Sequence, residues 1–199
     1  MTRDEVLDAY RESGALLHGH FRLSSGRHSA CYLQCARVLM NPERASRLAA
    51  ALAEKLPAAL RQGVDLVVSP AMGGLIIGHE MGRALGRDAI FLERPQGFFE
   101  LRRGFAIEPG ARVLLVEDVV TTGLSSREAI AAVRQAGGEV VAEAALVDRS
   151  GGAAELGVPF HALVALDFPT YAPDEVPPEL AAIPLIKPGS RAADAQAAV

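Results

Sequence analysis

Two adjacent carboxylates, Glu117 and Asp118, end an apolar run and are followed closely by Thr121, Thr122, Gly123 and Ser125 in the string VLLVEDVVTTGLSSRE, residues 113–128. Hydroxyls and a glycine at the start of a helix leave backbone N–H groups free at the positive end of its dipole, which makes a cradle for a phosphate. The two acids just upstream can accept hydrogen bonds from the cis hydroxyls of a ribose whose 5′-phosphate fills that cradle. Ser125 and Glu128 have the spacing of a capping box. Two acids and a threonine turn could also do no more than cap a helix. The competing phosphate motifs fail, since neither G-x-x-x-x-G-K-[ST] nor a G-x-G-x-x-G after a strand occurs. A P-loop kinase and a dinucleotide enzyme both lose support, and a ribose phosphate suits the spacing better than a triphosphate.

A site of this kind needs a scaffold that brings strand ends together. From residue 65 the chain alternates: strand DLVVS (65–69), a helix over 74–85, strand AIFLE (89–93), strand RVLLVED (112–118), helix SREAIAAVRQA (126–136), strand EVVAEAALVD (139–148), and a possible further strand in PFHALVALD (159–167). Continuous Val, Ile and Leu runs separated by helices predict an α/β fold, a mostly parallel five- or six-stranded sheet with helices on both faces. Ligands of such sheets sit beyond the carboxyl ends of the strands. SPAMGG, ERPQG, EDVVTTGLSS and DRSGG follow four of these strands, so four polar or glycine-rich loops are expected at one rim.

Ahead of the sheet, Thr2 and Glu5 predict a capped helix bearing Val6, Leu7 and Tyr10, and FRLSSGRHSACYLQ predicts strands around a Ser-Ser-Gly turn. Asn41 and Pro42 start a helix whose apolar spacing runs through Leu60, with Pro57 able to kink or end it. The expected organisation is a single domain over 1–199: a small N-terminal hood (1–40), the core sheet (41–167), and a Pro- and Ala-rich tail (168–199) that either packs over an edge or adds to the hood and is frayed at its end.

With 50% hydrophobic residues and a net charge of −4, the chain can bury one core and carries no basic field, which disfavours a nucleic-acid binder. The N-terminal residues show no apolar leader and no long uncharged apolar stretch occurs, which reads as cytoplasmic. Cys31 and Cys35, if they share a strand, are too far apart at about 3.3 Å per residue for a disulfide, and read as two buried thiols. His18 and His20 would share a strand face, yet no third metal ligand is spaced nearby. His28 could touch a ligand or hold a turn, and His79 and His161 read as ordinary packed or surface residues.

EDVVTTG after an apolar strand resembles the phosphoribosyl pyrophosphate (PRPP) motif of the type I phosphoribosyltransferases. GHFRLSSGRHSACYLQCARVL (19–39), FLERPQGFFELRRGF (91–105), DRSGG (148–152) and IPLIKPGSR (183–191) are similar to the branch that uses orotate. The resemblance implies transfer of ribose 5-phosphate from PRPP to orotate, giving orotidine 5′-phosphate and pyrophosphate in pyrimidine biosynthesis, with Mg²⁺ as cofactor and no metal held by protein residues alone. It also implies a homodimer with shared active sites and no nucleic-acid or membrane partner.

By the same resemblance, Asp118 and Arg94 are catalytic. PRPP is bound by Arg94, Glu117, Asp118, Val119, Val120, Thr121, Thr122, Gly123, Leu124 and Ser125, and orotate by Thr121 and Arg149. The turn from Ala71 to Gly74 would face pyrophosphate, and Ser25 to Ser29 would lie in the hood that closes over the base. Arg94, Arg102 and Arg103, with Gly97 and exposed Phe98 and Phe99, read as a lid, or else as a solvated hairpin. Arg149 could instead pair with Asp148 or Glu143. Leu124 stands where many relatives carry a small or hydroxyl residue and would serve the cradle through its backbone alone, while Met72, Gly73 and Ser24 stand where some relatives carry an aromatic or a lysine, which leaves pyrophosphate to arginines. A transferase for a purine base and a non-catalytic PRPP-sensing regulator are the alternatives, although no helix-turn-helix is evident.

Overall fold

The computed structural model describes residues 1–23 and 25–188. Ser24 and the expected frayed end of the tail, 189–199, lie outside the described residues.

Helix α1 (Arg3–Glu12) begins with the expected reciprocal cap, the Thr2 hydroxyl accepting from the Glu5 N–H and the Glu5 carboxylate from the Thr2 N–H. Strands β1 (Leu16–Arg22) and β2 (His28–Leu33) follow as an antiparallel hairpin. The strand expected to run through both cysteines stops at Leu33, and Cys35 opens α2 (Cys35–Leu39). Cys35, Val38 and Leu39 recur at helical spacing and all three are buried, so burial favours the helix there. Both thiols are free; Cys35 is buried as expected, whereas Cys31 is half-buried.

Asn41 caps α3 (Pro42–Lys55) by accepting from the Arg44 N–H at 2.9 Å. The single helix expected through Leu60 is two, because Leu56, ahead of Pro57, is extended and α4 (Ala58–Gly63) starts afresh. Then come β3 (Leu66–Pro70), α5 (Gly74–Leu85), β4 (Asp88–Glu93), β5 (Glu100–Leu101), β6 (Arg112–Val120), α6 (Leu124–Gln135), β7 (Glu139–Asp148) and β8 (Phe160–Ala165). The described chain closes with β9 (Thr170–Tyr171), α7 (Pro178–Ala181) and β10 (Leu185–Ile186).

The main sheet has six strands in the order β5-β4-β3-β6-β7-β8, parallel except for β5. Alternation along β6 feeds two cores: Leu114 and Val116 pack with residues of α1, α2, α3 and α5, and Val113 and Leu115 with Ala129, Ile130 and Val133 of α6. The sheet is thus covered on both faces, as its continuous apolar strands require.

Of the two placements expected for the tail, the structure has the one in the hood: rather than covering an edge of the main sheet, it supplies two strands of a second one, ordered β10-β1-β2-β9, with β9 on His28 and Ser29 and β10 on His20 and Phe21. Backbone groups on both edges of the β1-β2 hairpin need partners, and the returning tail provides them. No helix among the described residues is long and apolar enough to cross a membrane.

Candidate active site at the strand ends

The order β4-β3-β6-β7, all parallel, places the carboxyl ends of four strands side by side. Arg94 follows β4, the Ala71–Gly74 turn follows β3, residues 121–123 follow β6 and Arg149 follows β7. Arg149 is tied to the central strand by its N–H, which donates to the Val120 carbonyl at 2.8 Å. In the turn after β3 the Ala71–Met72 peptide is cis and Met72 is exposed.

Val119 and Val120 remain within β6, opposite Val147 and Asp148. Thr121 and Thr122 are exposed, and Gly123 takes the left-handed conformation at φ 71° as the residue before α6. A Cβ on Gly123 would come within 3.0 Å of the Arg127 guanidinium, so space as well as backbone geometry favours glycine. The capping box expected from Ser125 and Glu128 does not form. The helix starts one residue before Ser125, whose hydroxyl donates to Glu117 at 3.2 Å, while Glu128 pairs with Arg94. The Leu124 side chain is exposed, and its N–H donates to the Thr122 hydroxyl at 3.4 Å. Arg127 bridges the loop to a neighbouring segment, donating to the carbonyls of Thr122 at 3.1 Å and Glu155 at 3.2 Å.

The acidic pair straddles the sheet. As successive strand residues they face opposite ways: Glu117 meets Ser125 of α6, and Asp118 meets Gly73, where a Cβ would lie 2.9 Å from both carboxylate oxygens. Burial holds the Glu117 pKa well above the carboxylate range, with the charges of Asp118 and Glu143 adding to it and the Ser125 bond opposing. Burial also raises Asp118, against hydrogen bonding by backbone N–H groups, that of Val119 at 2.8 Å among them. Behind Asp118, Cys35 and Tyr10 are buried with the hydroxyl 3.6 Å from the thiol, and burial pushes both groups up.

Arg149 makes neither of the ion pairs considered from the sequence. Asp148 is engaged by the Ser150 N–H and hydroxyl at 2.7 and 2.6 Å, and Glu143 by the Ser126 hydroxyl at 2.6 Å. The Arg149 Nε is buried without a hydrogen-bond partner, and burial lowers its pKa against the opposing pull of Cys31, Cys35, Tyr32 and Asp167. A cation so placed favours an anionic ligand.

Arg94 stacks 4.0 Å over the Phe99 ring besides pairing with Glu128 of its own chain. Phe99 is buried rather than exposed as expected; Phe98 is exposed. Arg102 and Arg103 both reach Glu93, and β5 pairs with β4, so this segment is a hairpin joined to the sheet. In the hood, His18 and His20 do not act as a pair, because β1 shifts register between His18 and Phe21. His18 contacts the Cys31 thiol at 3.5 Å. His20 is buried, 2.6 Å from His28 and 3.1 Å from the Ile183 carbonyl. No group of three His, Cys, Asp or Glu residues among those described could hold a metal ion.

Sequence reasoning considered Glu143 only as a partner for Arg149 and missed that it is fully buried on β7, with Oε2 unpartnered among the described residues; an acid inside an apolar strand was the available signal. Burial pushes its pKa up to about 7 from an ordinary 4.5, the Ser126 bond opposing. The folded state therefore keeps a proton that the unfolded chain releases, and the stability this provides is complete below pH 4.5 and lost as pH rises through about 7. Glu143→Gln, which cannot ionise, is expected to show a smaller fall in melting temperature across that window than the parent. Parallel curves in a thermal-unfolding series would show that Glu143 does not titrate there.

The sequence and the fold are both shared with known proteins. The phosphoribosyl transferase domain matches residues 36–158. The orotate phosphoribosyltransferase of Erythrobacter litoralis is 74% identical over 192 residues, covering 96% of this chain and 100% of that one. Among solved structures, the orotate phosphoribosyltransferase of Aeropyrum pernix superposes with a TM-score of 0.68 at 30% identity, over 81% of this chain and 93% of that one. The Mycobacterium tuberculosis enzyme of the same name, in complex with inorganic phosphate, gives 0.65 at 27% identity over 83% and 97%. With the sequence match spanning nearly the whole of both chains and the sheet, the threonine-glycine loop and the strand-end arginine in place, the chain belongs to the phosphoribosyl transferase domain family, in its orotate phosphoribosyltransferase branch.

Proposed function

We propose that the chain transfers ribose 5-phosphate from PRPP to orotate at this rim, releasing pyrophosphate and giving orotidine 5′-phosphate. The observation that carries the reading is Arg149, a partly buried cation with an unpartnered Nε at the strand end next to the threonine-glycine loop. A guanidinium that forms no ion pair among the described residues suits the orotate carboxylate, which it can engage bidentately, with Thr121 on the adjoining loop.

In this reading Thr121, Thr122, Gly123, Leu124 and Ser125 hold the 5′-phosphate through hydroxyls and helix N-terminal N–H groups, the leucine by its backbone alone. Val119 and Val120 carry that loop on the strand. Glu117 and Asp118 take the ribose hydroxyls from either side, and those donated hydrogen bonds favour the ionised acids that burial disfavours. A ring nitrogen of orotate displaces pyrophosphate at C1 while positive charge develops on the sugar. The protein supplies orientation, charge stabilisation and exclusion of water rather than a nucleophile.

Mg²⁺ fits this donor set: as a hard cation it would be held mainly by diphosphate and ribose oxygens with waters, needing no cage of protein ligands, while Glu117 and Asp118 would hold the ribose it shares. When bound it neutralises charge on the leaving diphosphate. The two free thiols agree with a cytoplasmic setting. The reading is tested by PRPP consumption with orotate against a panel of free bases; preference for adenine or hypoxanthine overturns it.

The exposed Phe98, next in the chain to the Phe99 that Arg94 stacks on, supports a symmetric homodimer in which Arg94 serves pyrophosphate in the partner's site, exchanging its contact with Glu128 for the ligand. Arg94→Ala and Asp118→Asn chains, unfolded and reassociated at random, then recover roughly a quarter of wild-type sites, because each mixed dimer has one intact site. No recovery from a mixture shown to contain heterodimers places Arg94 in its own subunit's site or outside catalysis.

A further inference from the structure

Among the described residues, Arg149 finds none of the bonds that usually orient a guanidinium. Its Nε has no partner, and none of the described residues forms an ion pair with it. What its charged end meets is an aromatic face: Cζ lies 5.1 Å from the centre of the Phe168 ring. Phe168 comes just after β8, half-buried against the main core, on the segment that continues into β9.

That segment is held from two sides. Leu166 donates its N–H to the Asp148 carbonyl at 2.8 Å, next to Arg149 itself. On the hood side the Ser29 hydroxyl donates to the Pro169 carbonyl at 3.3 Å, and Arg27 donates to the Thr170 hydroxyl and carbonyl at 2.9 and 2.6 Å. The ring is therefore fixed between the end of β7 and the second sheet.

Asp167 acts on Arg149 through its charge without forming an ion pair, so the contact with the aromatic face matters chemically. A carboxylate would neutralise the guanidinium and occupy its in-plane N–H donors. A ring face attracts the cation while leaving those donors free for a ligand. We infer that Phe168 is a positioning residue for the base, holding the Arg149 guanidinium so that its N–H edge meets the carboxylate of orotate. The inference rests on the reading of Arg149 as the partner of that carboxylate.

The test is a double-mutant cycle read by equilibrium titration with orotidine 5′-phosphate, which carries base carboxylate and phosphate in one molecule. Phe168→Leu keeps the apolar volume and removes the ring face; it should weaken binding about tenfold while leaving KM for PRPP and the melting temperature at parent values. Phe168→Tyr keeps the ring and should bind like the parent. In an Arg149→Ala background, Phe168→Leu should add no further loss. If Arg149→Ala itself leaves binding unchanged, the reading of the base site fails, and this inference with it. If Arg149→Ala weakens binding but Phe168→Leu does not, or does so equally in both backgrounds, or raises KM for both substrates alike, the positioning role is overturned and the base site stands.

Discussion

Asp118→Asn folds like the parent and turns over at least about a hundredfold more slowly. Asparagine is nearly isosteric, so it fits the close approach to Gly73 and can still accept from the Val119 N–H. What it lacks is the negative charge that orients a ribose hydroxyl and offsets the cation developing on the sugar. The loss should therefore fall on kcat more than on KM for PRPP. The pH profile gives a second check. Burial raises the Asp118 pKa, so if the ionised form is required, kcat/KM of the parent declines on the acid side at a pH above the ordinary aspartate range, and the asparagine variant loses that limb. An unchanged kcat would make the acidic pair structural.

Arg149→Ala raises KM for orotate far more than KM for PRPP. Loss of a charge-assisted bidentate contact is worth on the order of 1.5 to 3 kcal/mol, or about one to two orders of magnitude in affinity. Stability should change little, because the guanidinium has no ion pair to break among the described residues and its burial already disfavours the charged form. The backbone bond from residue 149 to Val120 survives the substitution, so the loop stays on the sheet. Steady-state rates with each substrate varied at saturating levels of the other decide the matter. Equal increases in both KM values would point instead to collapse of the loop.

The sequence by itself determined the main sheet and its rim. Apolar runs separated by helical spacing admit little besides a covered parallel sheet, and β7 spans the expected residues from Glu139 to Asp148. The acidic pair, the threonine-glycine loop and the strand-end arginine are local in sequence, so strand direction alone sends them to one edge. Local pattern was also enough for the caps at Thr2 and Asn41. It failed where two local signals competed, at Ser125, whose spacing to Glu128 suited a cap but whose hydroxyl turned to the buried Glu117 instead.

Tertiary structure alone decided which partners meet over long separations. The tail residues Thr170, Tyr171, Leu185 and Ile186 carry a weak local signal as strands, and they become strands because the exposed edges of the β1-β2 hairpin offer unpaired backbone groups. Phe168 reaches Arg149, and Arg94 reaches Glu128, only once the sheet order is set. Glu143 is a charge in a core strand until α6 brings Ser126 onto it. Periodicity reports which face of an element is buried; it carries no information on which distant side chain will lie against that face, since that follows from packing of the whole chain.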